Sequence, residues 1–159
     1  MISSRTSDPK QLLKVLEQAA HRRSGLWRSR GGTKPTTAFR WLNGAGDGVE
    51  GLKLDVYGDW LVAHVYPSDI RQVDYDVLRP LSLLGYRGVY VKIHPKQANT
   101  VLDAQRAGLA PAEALFGESA PELLHVMERG IPFEVRLGSG LATGLYLDQR
   151  LTRERVQAI

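Results

Sequence analysis

Cysteine is absent from this 159-residue chain. Without a thiolate these residues can form no disulfide, no sulfur-ligated metal site and no cysteine nucleophile. Long apolar runs are also missing. Nothing approaches the roughly 20 consecutive apolar residues of a membrane span, and the opening MISSRTSDPK lacks the apolar core of a signal peptide. A soluble, cytoplasmic protein is therefore expected. Histidine is sparse: His21, His64, His94 and His125 show no metal-ligand spacing, so each is expected in a structural or surface role and no metal is assigned. Acidic residues are outnumbered, 17 against 21 lysines and arginines, giving a net charge of +4. That excess is compatible with a polyanionic partner. It is concentrated in HRRSGLWRSRGGTK, His21 to Lys34, and in Arg150, Arg153 and Arg155.

Hydrophobic residues make up 43% of the chain, enough for one compact domain with a real core. Asp8 and Pro9 read as the start of a helix, and Leu12, Leu13, Leu16, Ala19 and Ala20 give its face to about Arg23 an apolar stripe. The Gly-rich, basic stretch Ser24 to Thr37 reads as a mobile loop. AFRWLN is a short strand. LKLDVY and WLVAHVY alternate around Gly58-Asp59 as a hairpin, and Ile70 to Leu84 returns to a helical period that Pro80 kinks or ends. GVYVKIH is a further strand, KQANTVLDAQRAG a loop with a short helix, and LLHVME and FEVRLG a second hairpin across Arg129-Gly130. The expected fold is α+β, with a mixed, largely antiparallel sheet and flanking helices.

Gly44-Ala45-Gly46-Asp47-Gly48 matches a GxGxG pattern, but a strand-like segment follows it where a cofactor loop would open a helix, so a turn between strands is expected. No nucleophile–base set and no paired carboxylates support a hydrolase. In the basic stretch, Arg22, Arg23, Arg28, Arg30 and Lys34 surround Trp27. Guanidinium groups grip phosphates while an indole stacks on an unpaired base, which points to RNA; a packed tryptophan with solvated arginines is the equal alternative. Lys96 and Gln97, just past the GVYVKIH strand, extend the candidate RNA surface. Near the end of the chain, Asp148 follows a strand-like LYL and is placed to cap a new helix. Gln149 and Arg150 then stand in its first turn with Thr143 and Tyr146 nearby, an arrangement suited to an anion. Plain capping is the alternative there.

Thr143-Gly144-Leu145-Tyr146-Leu147-Asp148-Gln149-Arg150, followed by Arg153, resembles the TG-aromatic-LDQR-x-x-R motif of bacterial class I SAM-dependent 23S rRNA (cytosine-5) methyltransferases of the large-subunit methyltransferase I type. FRWLNGAGDGVEGLKLDVYGDWLV, YVKIHPKQANTV and GLAPAEALFGE resemble other segments of the same family in the same order. The resemblance implies a three-part enzyme. Residues 1–37 would be an N-terminal helix and basic loop, 38–141 the central α+β domain, and 142–159 a junction to a Rossmann-like SAM-binding domain outside these residues. It makes Thr143, Tyr146, Asp148, Gln149 and Arg150 candidate contacts to S-adenosylmethionine. It also implies an RNA-docking portion, inactive alone, whose partner is ribosomal RNA. The alternative is a free-standing RNA-binding or assembly protein that lost catalysis; a stand-alone enzyme for a small anion ranks third. An end left bare by truncation would expose apolar surface and favour a dimer.

Overall fold

The computed structural model describes residues 9–67, 73–95 and 108–157. Helix α1 (Pro9–Arg22) turns directly into a short helix α2 (Ser24–Ser29), so the stretch expected to be a loop is helical over its first part. The reason is tertiary. Leu26 and Trp27 pack onto the core, and Trp27 meets Phe39 and Trp41 edge-on at ring distances of 5.1 and 4.9 Å. Apolar burial of this kind outweighs the weak helix propensity of SGLWRS.

Strands β1 (Ala38–Asn43), β2 (Leu52–Tyr57), β3 (Trp60–Val65), β4 (Gly88–Ile93) and β5 (Phe116–Gly117) form one sheet in that order. The β3–β4 pair is parallel and the others are antiparallel, as a mixed, mostly antiparallel sheet requires. A parallel pair needs a crossover. Here it includes a 3₁₀ helix, Tyr75–Leu83, whose N-cap Asp74 accepts a hydrogen bond from the Asp76 amide. Strands β6 (Leu124–Glu128) and β7 (Ile131–Val135) make a separate hairpin, with Arg129 and Gly130 both at positive φ in its turn. The GAGDG segment is a 3₁₀ turn joining β1 to β2, as expected of a connection between strands.

Alternation along the strands divides the sheet into two faces. Leu52, Leu54, Val56, Leu61, Ala63, Val65, Val89, Val91 and Ile93 point to one face, where Leu12, Leu16 and Ala19 of α1 and Leu78 and Leu81 of the 3₁₀ helix cover them. A bulge in β1 between Arg40 and Leu42 lets both Trp41 and Leu42 join this core, and the Trp41 indole donates to Leu16 O. On the other face Tyr57, Trp60, Val62 and Tyr90 pack under Val126, Val135, Leu137 and Leu145. That second face is apolar at one end only. At the other end Arg40, Asp55, His64 and Lys92 take its positions, and the candidate site lies over them.

Candidate functional site

The polar end of the second face is organised around Asp55, only 2% exposed. Arg40, its partner on β1, binds it side-on with Nε and Nη2 at 2.8 and 3.1 Å. His64 on β3 brings Nε2 to 3.2 Å from Asp55 Oδ2, which Arg40 Nη2 also binds, an attractive contact although too misaligned for a good hydrogen bond. Burial alone would push the Asp55 carboxyl up; the His64 and Arg40 interactions outweigh it and hold the group below the usual carboxylate range. His64 Nδ1 lies 2.9 Å from Nε2 of His94, and the His94 ring stacks on Tyr66 at 4.6 Å. Burial, with help from His64, Lys92 and Lys53, lowers His94 to a pKa of about 4. Lys92 is 1% exposed and donates its ammonium to Gly140 O and Ala142 O. Burial lowers it to about 8.

Lys92 thereby pins the segment that leads to Thr143. Thr143 is itself buried, with its hydroxyl 2.8 Å from Tyr57 OH. Gly144 follows at φ +97°, a conformation that glycine adopts without strain. The chain then passes through Tyr146, 70% exposed, into a 3₁₀ turn (Leu147–Gln149) and helix α3 (Arg150–Gln157). The strand-like LYL is thus not a strand, and Asp148 does not cap the helix: the N-cap of the turn is Tyr146, with no side-chain cap. With the turn starting at Leu147, Asp148 falls inside it, two residues past its N-cap. Arg153 does the anchoring. Its guanidinium donates to both Glu128 oxygens at 2.8 and 2.7 Å and to Tyr146 O at 2.9 Å, over the Phe133 ring. Arg129 and Glu154 add a second ion pair between the hairpin and α3.

Three adjoining clefts result. The first, about 250 Å³, is floored by Arg40, Asp55, His64 and His94 and walled by Thr143, Tyr146 and Asp148. The second, about 300 Å³, shares Arg40, Leu147 and Asp148 with it and adds Arg23 and Arg150. The third, about 350 Å³, shares Leu26 and Arg150 with the second and adds Lys34 and Arg129. Four of the five candidate cofactor residues therefore line this face; Gln149 is exposed but lines none of the three clefts.

The candidate RNA residues fall into two groups. Arg22 and Arg23 both grip Asp47, each at 2.7 Å, and Arg30 donates to Gly58 O while covering the Trp27 ring. Burial would raise Asp47; the Arg23, Asn43 and Arg22 hydrogen bonds hold it low. Arg28 is exposed and Lys34 lines the third cleft, and neither makes an ion pair with a described residue. Lys96 and Gln97 lie outside the described residues. The paired histidines and the Arg40–Asp55 bridge were not legible as a site. The available signal was Lys53, Asp55 and Tyr57 alternating with apolar neighbours on a strand buried on both faces, since a buried carboxylate demands partners.

Among the described residues no group of three or more His, Asp or Glu could hold a metal ion, and no helix is long and apolar enough to cross a membrane. No protein-family profile matches the chain. It is 30% identical over 145 residues to a ribosomal RNA large subunit methyltransferase of Deinococcus radiodurans, covering 91% of this chain and 35% of that one. It is 34% identical over 109 residues to the ribosomal RNA large subunit methyltransferase K/L of Alteromonas mediterranea, covering 68% and 15%. A solved structure of a protein assigned to the methyltransferases, in complex with SAH, superposes with a TM-score of 0.73 at 28% identity, covering 94% of this chain and 35% of its own. These two curated relatives are ribosomal RNA large subunit methyltransferases, and the chain spans about a third or less of the length of each.

Proposed function

We propose that this chain is the RNA-docking and substrate-positioning portion of a SAM-dependent ribosomal RNA methyltransferase. The observation that carries the reading is that Thr143, Tyr146, Asp148 and Arg150 and, far from them in sequence, Lys34 of the basic stretch line adjoining clefts of one face. The names of the relatives support the reaction class. Asp148 and Arg150 fit the methionine part of S-adenosylmethionine. Both line the second cleft and neither has an ion-pair partner among the described residues, so an ammonium and a carboxylate each meet an opposite charge. When bound, the cofactor supplies an electrophilic methyl group. Tyr146 bounds that side, held by Arg153 through its carbonyl. Addition of a thiolate to C6, the usual route to a nucleophilic C5, has no cysteine to perform it within these residues.

Phosphate contacts fall to Arg28 and Lys34, which pair with no carboxylate among the described residues, whereas Arg22 and Arg23 hold Asp47. Binding of a single-stranded RNA oligonucleotide, followed by fluorescence anisotropy against salt, tests this. Alanine at Arg28 and Lys34 weakens binding and lowers the log–log salt slope by about 0.7 per lost contact. Alanine at Arg22 and Arg23 leaves the slope alone and lowers the melting temperature. An unchanged slope in the first set refutes the docking reading.

A further inference from the structure

The floor of the first cleft holds a row of side chains whose hydrogen-bond polarity is set from one end. Asp55, ionised and clamped by Arg40, can only accept. The His64 nitrogen facing it at 3.2 Å is therefore the one that carries the proton, because two lone pairs at that distance repel. Where His64 carries that one proton alone, its lone pair is on Nδ1, and the 2.9 Å contact from there to His94 Nε2 needs a hydrogen that only His94 can bring. This assignment follows from the charge contact of Asp55 with His64 and the hydrogen bond between the two rings. It leaves His94, whose ring lines the cleft and is held flat against Tyr66, with its acceptor on Nδ1.

Size and charge narrow what such an acceptor could meet. At about 250 Å³ the cleft falls just under the ~300 Å³ at which pockets for drug-sized ligands begin, so it admits one ring rather than a dinucleotide. Arg40 and Lys53 are balanced by Asp55 and Asp148 among the lining residues, and burial keeps His94 neutral. A phosphate has no excess of positive charge to go to. A metal ion has no pair of free imidazole lone pairs, since the one on His64 is taken by His94. A neutral planar ring with an N–H edge fits, and the exposed Tyr146 at the rim offers a face for it to stack on.

We propose that the first cleft is a base-reading subsite, in which His94 Nδ1 accepts a hydrogen bond from the exocyclic amine of an unpaired cytosine or adenine. Asp55 and His64 are positioning residues that fix the acceptor. The proposal rests on the RNA reading above and adds the place and polarity of one contact.

The test is nitrogen-resolved NMR of the histidine rings in the 159-residue chain at about pH 8, above the ordinary histidine range. The chain is titrated with cytidine and with 2-pyrimidinone riboside, the same nucleoside without its amine. In the free chain His94 carries its proton on Nε2. Cytidine shifts Nδ1 saturably, and the analogue binds about fivefold more weakly, the loss of one neutral hydrogen bond. His94→Phe, which keeps a flat ring and needs no buried partner, binds both nucleosides alike. A His94 proton on Nδ1, equal affinity for the two nucleosides in the unmodified chain, or no saturable shift up to the solubility of cytidine each overturns the subsite. RNA anisotropy on the same samples separates the two readings. If RNA binding keeps its salt dependence while cytidine fails, the subsite falls and the docking reading stands; if cytidine binds as described while RNA binding does not depend on Arg28 and Lys34, the docking reading falls.

Discussion

Replacing Arg153 by methionine should do more damage than its place on a short terminal helix implies. The substitution keeps an unbranched stem against Phe133 and removes three hydrogen bonds, two to Glu128 and one to Tyr146 O. The Glu128 side chain is 5% exposed, so its carboxylate would be left with little water; the Arg153 side chain is 25% exposed, so some solvent can follow. Breaking a fully buried pair costs about 3–5 kcal/mol, and a hydrogen bond to a charged group contributes about 1.5–3. With partial access to water the expected loss is about 2–3 kcal/mol. At about 2–4 °C per kcal/mol for a chain of this size, that is a fall of roughly 5–10 °C in melting temperature. Adding Glu128→Gln to the same chain removes the stranded charge and recovers about 1 kcal/mol. Urea and thermal unfolding give the energies, and hydrogen exchange over residues 146–150 shows whether the junction segment loosens. A loss below about 0.5 kcal/mol, the range of ordinary surface changes, or no recovery with Glu128→Gln, refutes the anchoring role.

The remaining predictions concern pH, backbone and activity. Because folded His94 titrates at about 4 instead of the ordinary 6.5, the unfolded chain takes up the proton first. Stability is therefore present above pH 6.5 and is lost as pH falls from 6.5 towards 4; the urea midpoint follows this slope, and His94→Gln flattens it. Asp47 and Asp55, both held low, lose their contributions only below their ordinary value of 3.8, so the windows separate. Gly144→Ala forces a side chain into φ +97° and should cost about 1 kcal/mol or more by urea denaturation; an unchanged midpoint would show that the turn relaxes freely. The 159-residue chain should transfer no methyl group from labelled S-adenosylmethionine to ribosomal RNA, and any incorporation above background contradicts the docking-portion reading.

The alternation of Leu52, Leu54 and Val56, the Gly58-Asp59 and Arg129-Gly130 turns and the apolar stripe of α1 are local properties, and the sequence by itself determined those elements and the α+β class. Each depends on residues a few positions apart, which is the range over which periodicity and turn chemistry act. α2 was missed because SGLWRS is helical for a distant reason, the seating of Trp27 between Phe39 and Trp41. The position of Asp148 in the sequence fits a cap, but the N-cap of the turn is Tyr146, and the Arg153–Glu128 bridge ties α3 to the hairpin. His64 and His94, thirty residues apart, meet through the parallel register of β3 and β4, while Arg40 meets Asp55 through the antiparallel register of β1 and β2. Only the tertiary structure decided those pairings, because a one-residue slip in register sends every side chain to the opposite face.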